Sequence, residues 1–185
     1  MLTKEAVISA ASHAAFGSPL VVNNLRAILV EAIVQSALGP QWKWCSTDYA
    51  GWDFEHEDGT RLEVKQSAAR QSWSGKPKKP TAPRFDIAAR TGYWEDGANW
   101  IPRPGRNAHV YVFGFHPITN DTADHRDPTQ WQFFVVKTID LPNAQSISLP
   151  SLRSLARCAT AGELKDVADV ARLSFVSTGC PPEVS

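Results

Sequence analysis

Asp53, Glu63 and Lys65 are residue types suited to phosphodiester chemistry, and a single short segment carries all three. Residues 51–65 predict a strand, a turn and a second strand. Asp58-Gly59 is a hairpin signal, with Gly59 suited to the left-handed position that closes a three-residue loop. A loop of Glu57, Asp58 and Gly59 pairs Glu55 with Arg61, Phe54 with Leu62, Asp53 with Glu63, and Trp52 with Val64. That register sorts the hairpin chemically. Trp52, Phe54, Leu62 and Val64 share one face, and Asp53, Glu55, Arg61, Glu63 and Lys65 share the other. Its one unfavourable pair is Asp53 opposite Glu63, where like charges about 5 Å apart destabilise a sheet. A hard divalent cation between them would turn repulsion into binding. Lys65, two residues on, would stand beside that cation and stabilise negative charge on a phosphoryl group. The same residues also fit a solvated salt ladder in which Arg61 and Lys65 neutralise Asp53 and Glu63.

An Asp followed by Glu-x-Lys on the next strand resembles the PD-(D/E)xK nuclease superfamily, the restriction-endonuclease-like fold; the match is Asp53, then Glu63-Val64-Lys65. The run from Glu63 to Trp73, Glu-Val-Lys-x-Ser-Ala…Gln-Ser-Trp, is similar to that of an uncharacterised bacterial group in which residues 24–155 would align. The resemblance implies an α/β fold with a mixed central sheet flanked by helices. It implies Mg²⁺ or Mn²⁺ as cofactor, Asp53 and Glu63 as ligands, the Val64 carbonyl completing the shell, and Lys65 as the catalytic lysine. Many members add a Glu from the first core helix, the place occupied here by Glu31. Trp52 stands where the family motif has its Pro. Nuclease members often act as dimers, so a homodimer is compatible with the resemblance.

The chain has 185 residues, 43% of them hydrophobic, which suits one domain with a substantial core. Three parts are expected: an N-terminal helical extension over residues 1–20, the core over 24–155 and a C-terminal helix over 160–174. No apolar run approaches the length of a membrane span, and the first residues lack a signal peptide's apolar stretch. Cys45, Cys158 and Cys180 are odd in number and lack CxxC spacing, which points to a reducing cytoplasm without a disulfide framework.

Net charge is zero, but its distribution is uneven. Between Arg61 and Arg90, eight basic residues face only Glu63 and Asp86, a surplus of six positive charges directly after the Glu-x-Lys run. Arg61, Gln66, Arg70, Gln71, Lys76, Lys78 and Lys79 are therefore the candidate contacts to a DNA backbone. A solvated basic loop accounts for the three lysines equally well.

Helices are expected over residues 3–15, capped by Thr3, and from Asn23 or Asn24 to Leu38, closed by Gly39-Pro40. In the second, Leu25, Ile28, Leu29, Ala32, Ile33 and Ser36 form one face, while Glu31 and Gln35 form a polar strip. Glu31 faces either water or the metal site. Arg26 is a further residue able to pair with a carboxylate or a phosphate. Residues 42–46 lead into the hairpin, and 67–74 are expected as a short helix or ordered loop. Strands are expected over 85–89, 109–115, 131–137 and 146–149, and a long Gly-, Pro- and Trp-rich loop over 91–107. Trp73, Trp94 and Trp100 in loops suit stacking on bases or contact with a partner. Thr160-Ala-Gly-Glu163 is a capping box opening the last helix.

The spacings of His109, His116 and His125 with Asp121, Asp124 and Asp127 match no zinc pattern, and they are expected as ordinary loop residues. There is no phosphate-binding glycine loop and no nucleophile elbow. Two functions remain in view: metal-dependent hydrolysis of DNA, or a nuclease-like module that binds DNA or a protein without cutting.

Overall fold

A computed structural model describes residues 2–45, 51–73, 82–95 and 97–176. Its elements are helices α1 (Lys4–Phe16) and α2 (Asn23–Leu38), strands β1 (Trp42–Trp44), β2 (Phe54–His56), β3 (Arg61–Ala68), β4 (Arg84–Asp86), β5 (Tyr93–Glu95), β6 (Asn99–Ile101), β7 (Val110–His116), β8 (Gln132–Lys137) and β9 (Ser146–Ser148), then helices α3 (Leu149–Leu155) and α4 (Leu164–Val176). The fold is α/β. A five-stranded sheet runs β1-β2-β3-β7-β8, antiparallel except for the central parallel pair β3–β7. β4–β9 and β5–β6 are separate two-stranded ribbons. Among the described residues no helix is long and apolar enough to cross a membrane.

Alternation along the central strands feeds two cores. Leu62, Val64, Val110, Val112, Phe133 and Val135 pack under α2 and α4. Tyr111, Phe113, Phe115, Phe134 and Val136 pack on the other face against β4, β9 and α3. The parallel register sets Glu63 beside Tyr111 and Lys65 beside Phe113, so both polar side chains share that second face.

Thr3 caps α1 by accepting from the Ala6 N–H at 3.1 Å, and the helix buries none of its residues. α2 differs from expectation in two ways. Val22 is its N-cap, without a side-chain bond, and Asn23 lies inside the helix. Its buried line is Arg26, Val30, Val34 and Leu38, with Glu31, while Ile28 is 48% exposed. Apolar residues surround this helix, so periodicity did not choose a face; packing of its valines onto the sheet did. Gln35 donates to the carbonyls of Gly39 and Trp42, tying the helix end to β1.

The expected short helix or loop after Lys65 is partly strand, because β3 stays paired with β7 as far as Ala68↔His116. The long loop over 91–107 contains the β5–β6 hairpin. The capping box is present, with the Thr160 N–H donating to Glu163 at 2.8 Å, and Leu164 and Ala168 of α4 are buried.

Candidate functional site

The hairpin turn forms as expected. Gly59 has φ 82°, its N–H donates to the His56 carbonyl, and the His56 N–H donates to the Thr60 carbonyl. Phe54 faces Leu62 and Glu55 faces Arg61. At Asp53 the ladder changes. The Asp53 N–H donates to the Leu62 carbonyl at 3.0 Å, so Asp53 and Phe54 both address Leu62, a β-bulge. The extra residue breaks the expected pairing of Asp53 with Glu63 and reverses the phase beyond it. Trp52 therefore leaves the Phe54 face and packs with the second core, where the Arg61 guanidinium lies 3.7 Å from its ring centroid.

The bulge also opens a gap in the sheet. β3 outruns β2, and the Val64 N–H points into the gap, where Asp53 Oδ2 accepts it at 2.6 Å. Within an extended strand a residue's N–H and C=O project to the same side, so the Val64 carbonyl faces the same gap. Glu63 and Lys65 approach from one face of the sheet and are joined by an ion pair, Lys65 Nζ to Glu63 Oε1. Glu31, 7% exposed, comes from α2 on the opposite face and accepts from the Trp44 indole N–H at 2.9 Å. Both carboxylates act electrostatically on Asp53.

The electrostatics follow from that placement. Burial pushes the Asp53 carboxyl up to about 8, and the carboxylates of Glu63 and Glu31 push in the same direction; the Val64 N–H and Lys65 only partly offset them. Tyr111, beside Glu63, has its hydroxyl raised by burial and by that carboxylate. Among the described residues, the charged groups that act on Asp53 are thus two carboxylates, Glu63 and Glu31, against the Lys65 ammonium.

Among the described residues no three His, Cys, Asp or Glu side chains form a group poised to hold a metal ion. Each acid instead aims an oxygen at a protein donor: Asp53 at Val64, Glu63 at Lys65, Glu31 at Trp44. The donor set still fits a hard divalent cation. Its atoms are carboxylate and carbonyl oxygens, the donor type hard cations take, and burial first, then Glu63 and Glu31, raise the Asp53 carboxyl beside them.

Most of the expected DNA contacts have internal partners. Gln66 and Gln71 accept from Arg26 at 2.6 and 2.8 Å, and Asn23 accepts from it at 2.7 Å. Arg26 is 1% exposed and pushed down to about 10 by burial; its three partners are neutral amide oxygens. Arg70 donates to the Asn120 carbonyl and pairs with Asp121 at 2.7 Å. Arg61 stacks on Trp52 and approaches Glu55 at 3.8 Å. Lys76, Lys78 and Lys79 lie outside the described residues.

His116 and His125 are not loop-surface residues, being fully buried, with ring centroids 4.9 Å apart. His125 Nδ1 accepts from the Val21 N–H, which leaves Nε2 to donate to the Arg70 carbonyl. Compared with protein-family models and with curated proteins, the sequence matches none.

Beside Glu63 and Lys65 runs a cleft that sequence patterns did not mark, lined by Asp86, Arg90, Arg106, Asn107 and Tyr111. Arg106 is fixed by the carbonyls of Ile87 and Pro142 at 2.7 and 2.6 Å, whereas Arg90 pairs with Asp86 and is 57% exposed. Only the run of basic residues as far as Arg90 hinted at this lining. The parallel pairing that brings Tyr111 to Glu63 spans 48 positions of sequence and has no local signature.

Proposed function

We propose that this protein hydrolyses phosphodiester bonds of DNA with the help of Mg²⁺ or Mn²⁺, as the PD-(D/E)xK resemblance implies. The observation that carries the reading is the opening beside Val64, where the Asp53 carboxyl accepts the Val64 N–H within electrostatic reach of Glu63 and Glu31, with the Lys65 ammonium paired to Glu63. Asp53 and Glu63, with the Val64 carbonyl and Glu31, would hold the cation. When bound, the cation supplies Lewis acidity toward a phosphoryl oxygen.

The chain's own residues account for the rest. Glu63 keeps the Lys65 ammonium at the mouth of the cleft, where it stabilises charge developing on the transferring phosphoryl group. Asp53 holds the middle of β3 through the Val64 N–H, next to Lys65. Arg90 adds a second positive group along the cleft.

The second reading is a nuclease-like module that binds without cutting. Its specific support is that each acid already has a protein donor. Incubation of plasmid and single-stranded DNA with Mg²⁺ or Mn²⁺ decides between them. Cleavage that falls about 10²- to 10³-fold in Lys65→Ala, with an unchanged melting temperature, supports hydrolysis. Cleavage that survives the substitution refutes the assignment of Lys65, and retention of DNA without cleavage selects the binding module.

A further inference from the structure

The β5–β6 hairpin carries an arrangement that hydrolysis alone does not require. Tyr93 faces Ile101, and Trp94 faces Trp100 directly across the ribbon. The two indoles meet edge to face, with centroids 5.5 Å apart, yet remain 39% and 44% exposed. A cross-strand aromatic pair stabilises a ribbon by contact, but burial, the larger contribution of such side chains, is here only half used.

The ribbon is seated on Gly51 and Trp52, the residues just before Asp53. Tyr93 packs against Trp52 at 5.2 Å between ring centroids, and a Cβ on Gly51 would lie 2.8 Å from the Tyr93 ring. A Cβ on Gly92 would lie 2.3 Å from the Ile101 carbonyl oxygen and 2.6 Å from the Trp100 ring. The first approach seats the ribbon against the residues before Asp53, and the second packs the Trp100 ring onto the ribbon's own backbone. Trp94 and Trp100 line one opening with Glu63, Arg90 and Asn107, and the same Glu63, Arg90 and Asn107 continue into the narrower part that holds Lys65. The two openings therefore adjoin, with Lys65 and Arg90, paired to Glu63 and Asp86, on one side and the indoles on the other.

A phosphate with its attached base has that same polarity. A base inside a duplex is stacked on both faces and shows only its edges, so an indole can stack on it only when it is unpaired. We infer that the cleft takes single-stranded DNA, with a phosphate at Lys65 and Arg90 and an adjacent unpaired base stacked on the Trp94–Trp100 wall. This rests on the reading that the group handled at Lys65 is a nucleic-acid phosphodiester. The basic side chains supply counter-charge and the indoles supply the choice of single strand over duplex.

The test separates binding from cutting. Affinities of a fluorescent oligothymidine and of a mixed-sequence duplex are measured by anisotropy in EDTA, for wild type, Trp94→Ala, Trp100→Ala, Trp94→Phe and Trp100→Phe. The expected result is tighter binding of the oligothymidine than of the duplex. Loss of either indole should weaken oligothymidine binding about 5- to 100-fold. The Phe variants, which keep a ring on the hairpin, should recover most of that loss and guard against a merely unfolded ribbon. Cleavage of both DNAs in Mg²⁺ is then followed for the same proteins. Oligothymidine binding that depends on the indoles, without cleavage of either DNA, would overturn the hydrolytic reading and leave this one standing. Duplex cleavage with oligothymidine binding unaltered in all four variants would overturn this inference and leave hydrolysis standing. Binding of neither DNA overturns it too, and assigns the exposed indoles to a protein contact.

Discussion

Asp53→Asn separates what the Asp53 carboxyl does as an acceptor from what it does as a charge. The amide oxygen can still accept the Val64 N–H that Asp53 Oδ2 accepts at 2.6 Å, but it brings no charge to Glu63 and Glu31. In the folded protein Asp53 is raised from 3.8 to about 8. A proton held by the folded chain and released by the unfolded one makes stability fall as pH rises across that interval. Each tenfold displacement of an acid constant is worth about 1.4 kcal/mol, which sets a ceiling of about 6 kcal/mol on the penalty for charging Asp53. Part of that interval lies below pH 5, so about 2–4 kcal/mol is expected to appear in unfolding between about pH 5 and about pH 9. Urea unfolding in EDTA at about pH 5 and about pH 9 measures it. Wild type should lose that amount between the two conditions; Asp53→Asn should lose much less and be the more stable protein at the higher pH. Millimolar Mg²⁺ should restore wild type at the higher pH and leave Asp53→Asn unmoved. Parallel pH profiles for the two proteins would refute the reasoning, because the acids would then not be charging against one another.

Three further outcomes test neighbouring parts of the structure. Gly92→Ala drives a methyl into the Ile101 carbonyl and should cost about 1–3 kcal/mol in thermal unfolding, with a red shift in Trp fluorescence as the hairpin loosens. Burial, with the positive charge of Arg26, pushes His125 down to about 4, so the folded protein refuses a proton that the unfolded chain accepts. Stability from this group is complete above about pH 6.5 and is lost on acidification toward about pH 4, by up to about 3 kcal/mol, and the gap between wild type and His125→Asn should narrow over that range. Arg26→Leu removes a buried cation from three amide oxygens that join α2 to the end of β3. It should destabilise by about 2–4 kcal/mol, with hydrogen exchange rising first in the residues that follow Lys65.

What could be read without coordinates was local. The Asp58-Gly59 turn, the Thr3 cap and the Thr160–Glu163 capping box each depend on residues within four positions, and each appears where the sequence predicts it. The pairs Phe54–Leu62 and Glu55–Arg61 follow directly from the turn. The same logic failed one residue later. A bulge at Asp53 leaves no trace in alternation, since Trp52 suits either face of a sheet with two cores. The buried face of α2 differs from the one its periodicity predicts because the groups that solvate Arg26, Gln66 and Gln71, lie 40 and 45 positions away. Gln66 and Gln71 looked like surface residues for the converse reason. The cleft lining, contributed by β4, the segment after it and β7, depends on a parallel pairing that no local pattern announces.

The bulge connects the structural and chemical readings of the site. A strand that outruns its neighbour leaves backbone groups facing the gap, and a buried N–H without an acceptor costs about 1–3 kcal/mol. Asp53 supplies the acceptor for Val64, which a neutral Asn would do equally well and without electrostatic penalty. A carboxyl that burial and two neighbouring carboxylates push up to about 8 is an expensive way to cap a strand. The Val64 N–H alone therefore gives no reason for an acid rather than an amide at position 53. A ligand carrying positive charge into the gap would give one, since its attraction to each carboxylate would offset their mutual repulsion. On this argument the two features that look like defects in the hairpin, the extra residue and the crowded acids, have one cause: the bulge opens the sheet where the acids meet.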